Sequence, residues 1–289
     1  MFGEVAETYD RVRPSYPVEL FDDIFSFAGL KPGTPAQLCE SGAGTGKATM
    51  IVAPFAASSG WSLTCVEPDP TMAGVLDRNL AAVAGLDYSI VASGLEDFAD
   101  GLGPDPTGAR RFGLLFAAQS WHWVSPERRA LDAATVLVDS GTLALVWNVA
   151  RPHPPDLQRA LDEAYGGVMP PREWEPDATD RLDCTPRSAR VEALSGRVRR
   201  EYADDLEASG LFEPVTIASR HWRSSHPTDE WLSLLQTHSD HRMLAEDVRA
   251  ALLERVRHAV DAHGARVDVD YDAVAILTKR LARRSLLPP

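Results

Sequence analysis

The chain has 289 residues, 44% of them apolar and 25% charged, a composition able to bury a sizeable core. Its 42 acidic against 29 basic residues give a formal net charge of -13, and so acidic a surface repels phosphate backbones and argues against nucleic acid as a partner. The apolar runs fall short of the roughly 18 residues a transmembrane helix needs, and residues 1–10 carry neither the basic nor the apolar stretch of a secretory signal, so no membrane association is expected.

Read in chain order, Pro17 to Phe27 opens with proline and has apolar residues at helical spacing, which predicts a helix. A short strand, Ala36 to Glu40, runs into the turn Glu40-Ser41-Gly42-Ala43-Gly44-Thr45-Gly46, and a helix over Lys47 to Ser58 follows. The alternation continues with a strand over Ser62–Glu67, a helix over Pro70–Ala84, a strand over Tyr88–Ala92 and another over Gly113–Ala118. A helix over Pro126–Leu137 and a fifth strand over Thr142–Trp147 complete the series. Strands and helices alternating at this spacing imply βαβ units and an α/β fold with a parallel sheet covered on both faces.

The pattern changes at Arg151-Pro152-His153-Pro154-Pro155. Beyond it the spacing predicts a helix over Asp156–Tyr165, a loop over Met169–Ser195 that reads either as a lid or as a poorly ordered connection, and a helix ending at Gly210. A strand over Val215–Trp222, helices over Thr228–Thr237 and Ala245–His263, and a last strand over Val267–Leu277 follow, the helices reading as an insertion over one end of the sheet. Lys279 to Arg284 reads as a short basic, solvated tail. Cys39 and Cys65 sit in apolar runs and Cys184 in a polar loop; an odd count without ligand spacing points to a reducing cytoplasm. The sequence does not fix the oligomeric state and is compatible with a homodimer.

The glycine turn carries the chemistry. Gly42, Gly44 and Gly46 permit a tight turn and let a ligand approach without a Cβ in the way, while amides opening the next helix can receive its polar groups. A Walker A loop needs glycine and Ser/Thr where Ser41 and Ala48 stand, so the phosphate-cradling reading fails. The spacing also puts the third glycine one residue early for a dinucleotide fingerprint. Glu67, at the end of the second strand and roughly 20 residues past the turn, can accept the ribose hydroxyls of an adenosine.

Four ordered segments resemble the class I S-adenosylmethionine-dependent methyltransferases, within them the small-molecule group sometimes labelled methyltransferase type 11. Phe2-Gly3 through Tyr9-Asp10-Arg11-Val12-Arg13-Pro14-Ser15-Tyr16-Pro17 is similar to the N-terminal segment that folds over the cofactor, and Leu38 to Thr49 to motif I. Val66 to Met72 resembles the acidic loop after strand two; Phe112 to Val124 and Gly141 to Asn148 resemble strands four and five. Ser41 replaces a residue usually small and apolar or glycine, Gly94 stands where an acidic residue often sits near the adenine, and Gly113 replaces the Asp that usually opens strand four.

The resemblance implies a doubly wound, Rossmann-like, mostly parallel seven-stranded sheet with an antiparallel last strand and a helical cap. Residues 1–150 would form the S-adenosylmethionine-binding core and N-terminal lid; residues 151–289 would supply cap insertions and the last two strands, in one structural domain overall. S-adenosylmethionine is the implied cofactor, and the implied activity is methyl transfer to an O, N or C atom of a small metabolite. The competing reading is a protein of this fold that binds S-adenosylmethionine or S-adenosylhomocysteine for other chemistry or regulation. Cofactor contacts are expected from Tyr9, Arg13, Glu40, Gly42, Ala43, Gly44, Gly46, Glu67, Pro68, Met72, Leu95, Glu96 and Gln119. Trp121, Trp123 and Asn148 are expected to line the acceptor pocket, with His122 either the general base or a packed structural residue. His238, Asp240 and His241 invite a metal reading, but no further ligand stands at suitable spacing and no metal is expected.

Overall fold

The computed structural model describes residues 6–103, 110–151, 153–166, 168 and 202–282. Phe2, Gly3, the Met169–Ser195 loop with Cys184, and Arg283 and Arg284 of the basic tail lie outside the described residues.

Helix α1 (Ala6–Val12) and α2 (Val18–Ala28) precede β1 (Gln37–Ser41), α3 (Thr49–Ser59), β2 (Ser62–Val66), α4 (Pro70–Ala81) and β3 (Asp87–Val91). Then come α5 (Leu95–Leu102), β4 (Phe112–Ala118), α6 (Arg129–Val136), β5 (Leu137–Ala150), α7 (Pro155–Tyr165) and α8 (Asp204–Ala208). Strand β6 (Thr216–Pro227), α9 (Thr228–Leu235), α10 (Ser239–Arg242), α11 (Glu246–Ala262) and β7 (Arg266–Lys279) finish the order. The seven strands form one sheet in the order β3-β2-β1-β4-β5-β7-β6, with β7 antiparallel to both neighbours. This is the seven-stranded sheet expected.

Both faces of the sheet are buried, so the central strands read as continuous apolar runs and adjacent residues divide between two cores. Leu38, Leu114 and Phe116 face α2, α3 and α4, whose Phe21, Ile24, Val52 and Leu76 are buried against them. Cys39, Leu115 and Ala117 face the opposite way, toward Leu95 of α5, Val136 of α6 and Leu206 of α8. Asp69 caps α4 by accepting from the amides of Thr71 and Met72, and Pro70 opens the helix.

A third core makes the cap. Leu157, Leu161 and Ala164 of α7 pack with Trp231 and Leu235 of α9, Leu252, Val256 and Val260 of α11, and Val12 of α1. The cap stands over the carboxyl ends of the parallel strands because β6 and β7 outrun β5. Their pairing continues to Pro227–Arg266, whereas β5 stops at Ala150, opposite Tyr271. Helices α9, α10 and α11 fill the connection at that end. Strand β6 therefore extends five residues beyond the expected Trp222. Helices α1, α5 and α10 are short pieces the apolar spacing did not reveal. Arg280 corrects the solvated-tail reading: it is 8% exposed, faces Asp139 at 3.3 Å and donates to the carbonyl of Leu137.

Candidate cofactor and acceptor site

Strand β1 lies between β2 and β4, where the strand order reverses, so its carboxyl end opens on a crevice of the kind that binds nucleotides. The glycine turn sits there. The amides of Gly42 and Ala43 donate to the Val66 carbonyl at 2.8 and 3.2 Å, anchoring the turn to β2. Gly42 has φ +67° and lies so close to Ser120 that a Cβ would come within 2.5 Å of the serine Cβ. Gly46, at φ +97°, is likewise shielded by Leu76. Gly44 differs: at φ +58° nothing lies within 4 Å of its Cβ position, so this side of the turn is an open cradle. Ala43 packs into the core, and Thr45 is buried with an unpartnered hydroxyl oxygen.

Two carboxylates flank the turn. Glu40, 1% exposed, accepts from the Thr49 hydroxyl at 2.5 Å. Burial, aided by the charge of Glu67, pushes its pKa up to about 8, against the opposing pull of the Thr49 hydrogen bond. Glu67 accepts from the Gly44 amide at 2.7 Å and the Asp69 amide at 2.9 Å, and burial raises its pKa despite those bonds. Pro68 is exposed beside it.

The N-terminal segment folds over the crevice as α1. Glu7 pairs with Arg78 of α4 at 2.6 Å, and Asn79 donates to Asp10 at 3.2 Å. At the other end Arg13 donates to the Thr237 hydroxyl at 2.8 Å and the Thr237 carbonyl at 3.0 Å, with its guanidinium 4.9 Å from the Tyr9 ring. Met72 is covered by Ala6 and Tyr9. Tyr16 is buried close enough to feel the charges of Glu40 and Arg13, and burial lifts its phenol well above the usual range.

The end of β4 carries strain. Gln119 is a non-glycine residue at φ +57°; its amide side chain donates to the Asn148 carbonyl at 3.0 Å. Ser120 donates to the Ser41 carbonyl at 2.6 Å, which gives the departure at Ser41 a backbone partner in β4's loop. Trp121 is a correction to the expected pocket wall: it is fully buried in the α5–α6 core. The indole left the crevice because its position in the tight helical turn Trp121–Trp123 directs it to that face of the sheet. Trp123 is 64% exposed and turns outward. His122 is exposed at its edge and packs 5.0 Å from the Trp123 ring; loss of hydration holds its pKa below the usual value. Glu96 reaches back to the Ser125 amide at 2.9 Å, and the side chain of Leu95 is buried in the core while its backbone opens α5.

Asn148 is held on both sides, donating to the Ser15 carbonyl at 2.8 Å and accepting from the Trp222 indole at 3.0 Å. It clamps the lid segment to the strand ends rather than presenting a free amide to an acceptor. Trp222 stacks on Tyr271 at 5.1 Å. His153 packs edge-on against Trp231 in the cap. At the start of α10 the ligand atoms of His238, Asp240 and His241 come within 4.8 Å of one another, so the cluster noted in the sequence is real in space.

Comparison with other proteins gives methyltransferases as relatives. No family model matches the chain. Over 267 residues it is 28% identical to an uncharacterized methyltransferase of Mycobacterium tuberculosis, covering 91% of this chain and 87% of that protein. A Saccharomyces cerevisiae protein described as a probable S-adenosylmethionine-dependent methyltransferase is 29% identical over 159 residues, 54% of this chain and 50% of that protein. The fold matches a chain described as a type II methyltransferase from Anaeromyxobacter dehalogenans, with a TM-score of 0.56, 19% identity, and coverage of 94% and 99%. The chain is similar to methyltransferases over most of its length and has the fold of one.

The crevice fits S-adenosylmethionine on its own geometry. The open face at Gly44, the unpartnered Thr45 oxygen, the unpartnered Ser93 oxygen beside α5 and two carboxylates offer a cationic adenosine ligand acceptors along its length. Thr49, Ser120, Tyr16 and Thr237 belong to this surroundings and were not singled out in sequence. Thr49 had a signal, sitting in the first turn of the helix that the glycine turn opens. Thr237 had none, because its partner lies 224 residues away.

Proposed function

We propose that this methyltransferase transfers the methyl group to an O, N or C atom of a small metabolite held between the strand ends and the cap. One observation carries the reading. The segment that follows the N-terminal helix is tied to the cap through Arg13 and Thr237 and to the strand ends through Ser15 and Asn148, so the crevice is roofed rather than open as a groove for a polymer. The net charge of -13 supports the same conclusion.

The cofactor supplies an electrophilic methyl on a sulfonium, and the chain supplies orientation and desolvation. In this reading Glu40 receives the methionine ammonium and Glu67 the ribose hydroxyls, with its remaining lone pairs beyond the two amide bonds. Gly42, Ala43, Gly44 and Gly46 set the backbone close to the methionine and ribose. The α5 amides at Leu95 and Glu96, with Pro68 and Met72, bound the adenine. Tyr9 and Arg13 close the methionine end, and the strained Gln119 carries the backbone past the reacting methyl. His122 has no hydrogen-bonded orienting partner among the described residues, so it is not given the base role.

Incubation with methyl-labelled S-adenosylmethionine and an extract separated into small-molecule, protein and nucleic-acid fractions tests the reading. Label in the small-molecule fraction is expected; label confined to protein or nucleic acid would overturn it.

A further inference from the structure

At the carboxyl end of the sheet the last residue of β5, Ala150, pairs with Tyr271 of β7, which pairs in turn with Trp222 of β6. Alternate residues of a strand share one face, so Tyr271 continues the row of Ala273 and Ala275 on the face that carries Tyr16 and α2. Its ring stacks on the Trp222 indole at 5.1 Å. That indole donates to Asn148, and Asn148 donates to the Ser15 carbonyl in the segment after α1. Val12, at the end of α1, packs in the same core as Tyr271. The phenol therefore lies under the roof of the crevice, where the N-terminal segment meets the strand ends and the cap.

Hydrogen-bond donors gather there without acceptors from the chain. Tyr271 is only 7% exposed, yet its hydroxyl makes no hydrogen bond among the described residues and still meets solvent rather than being sealed. The hydroxyl of buried Tyr16 likewise has no partner among the described residues. Arg13 commits Nε and Nη2 to Thr237, which leaves Nη1 without a protein acceptor and the guanidinium without a carboxylate among the described residues. Burial pushes the Tyr271 phenol up to about 12 and lifts that of Tyr16 well above the usual range, so both stay protonated donors at neutral pH. The charge of Arg13 acts on both phenols, with Tyr16 on the side of Glu40 and Tyr271 on the side of β7.

Buried donors beside an unpaired cation call for a ligand that brings oxygen acceptors and negative charge. In a chain of net charge -13, whose surface repels anions, that cation is a local exception. Its single charge matches a carboxylate better than a doubly charged phosphate. We propose that Arg13 Nη1 and the Tyr271 hydroxyl bind a carboxylate of the methyl acceptor, which makes the acceptor a small organic acid. The proposal rests on the small-acceptor reading above. The cofactor carries a carboxylate of its own, and the strand order separates the two. Glu40, which receives the methionine ammonium in that reading, stands on β1, and Tyr271 stands on β7 beyond β4 and β5. Those three strand spacings amount to about 14 Å, whereas the ammonium and carboxylate of methionine hang on one carbon. Tyr16, near Glu40, suits the methionine carboxylate; Tyr271 suits a ligand beyond Gln119, on the far side of the reacting methyl.

The test uses the full chain, methyl-labelled S-adenosylmethionine and a small-molecule extract divided by anion exchange into an acidic fraction and a neutral and cationic one. Labelled product is expected from the acidic fraction. Treating that fraction with phosphatase beforehand is expected to change nothing, and converting its carboxylates to amides is expected to abolish labelling. With the acidic fraction as acceptor, Tyr271→Phe is expected to raise the amount needed for half-maximal rate about tenfold or more, with the KM for S-adenosylmethionine unchanged. The phenyl ring keeps the stack on Trp222 and the lost hydroxyl held no protein bond, so the urea midpoint is expected to stay where it was.

Calorimetry separates the two carboxylates. S-adenosylhomocysteine carries the methionine carboxylate and methylthioadenosine lacks it, and the ratio of their affinities is expected to be the same in Tyr271→Phe as in the unsubstituted protein. A ratio reduced about tenfold would assign Tyr271 to the cofactor's carboxylate and overturn the proposal. Label from the neutral and cationic fraction alone, or an acceptor destroyed by phosphatase, overturns it and leaves the small-acceptor reading standing. Label from neither fraction removes that reading and the proposal with it.

Discussion

Cofactor binding is expected to expel a proton from Glu40. The carboxyl is 1% exposed and its pKa stands near 8, so about nine in ten copies of the ligand-free protein carry that proton at pH 7. A methionine ammonium seated beside Glu40 favours the carboxylate, so binding should release about 0.9 proton at pH 7, about half a proton at pH 8 and almost none at pH 9. Apparent affinity should then rise close to tenfold per unit between pH 6 and about 8. The sign for folding is opposite. Because the folded pKa is raised from 4.5, Glu40's contribution to stability is fully present below 4.5 and is lost as pH rises through about 8. The 3.5-unit difference sets an upper bound of about 5 kcal/mol across that window in the ligand-free protein. The assay is calorimetry at pH 7 in buffers of different ionisation enthalpy. A slope of zero protons, or an equal slope in Glu40→Gln, would refute the reasoning.

Other perturbations have equally direct outcomes. Gly42→Ala places a methyl 2.5 Å from Ser120 Cβ at φ +67°, and a loss of about 1–3 kcal/mol in urea denaturation is expected, together with weakened cofactor binding. Ser120→Gly should return part of that loss, and no recovery would mean that the close approach is not the cause. Glu67→Ala should remove the adenosine contact and orphan the Gly44 and Asp69 amides, costing about 1–3 kcal/mol of stability and most of the affinity for the cofactor by calorimetry. Thr237→Val should remove one of Arg13's two bonds to the cap, leaving the one to the backbone carbonyl, and so speed cofactor release in stopped-flow without changing the secondary structure seen by circular dichroism. Asp272 is 1% exposed and bidentate to Arg151, so Asp272→Ala should cost about 3 kcal/mol, read by urea midpoint.

The fold was legible because both of its signals are local. Buried parallel strands spell apolar runs, and the turn needs three residues with positive φ at alternate positions, which only glycine supplies cheaply. The cap was legible as an insertion for the same reason: two apolar helical stretches between the last two strands cannot sit inside the sheet. The site's walls were not. An indole at a strand end suits a pocket or a core equally, and only the face of the sheet it turns toward separates Trp121 from a wall residue. Asn148 looked like an acceptor contact, but its partners Ser15 and Trp222 lie 133 and 74 residues away. The sequence sets His241 beside only His238 and Asp240, whereas its Nε2 is partnered by Tyr165, 76 residues earlier. Glu67 shows the opposite case: β1 and β2 pair residue by residue up to Ser41 and Val66, so a residue just after the second strand lies beside the glycine turn, where Glu67 accepts from the Gly44 amide.

The central claim is a methyl transferred from S-adenosylmethionine to a small acceptor. The most direct measurement is mass spectrometry of a small-molecule extract incubated with the protein and a cofactor bearing a deuterated methyl group. The account expects S-adenosylhomocysteine to accumulate in step with one new metabolite heavier by a deuterated methyl, both absent with Glu67→Ala. A cofactor that binds tightly yet stays intact in every extract would contradict it.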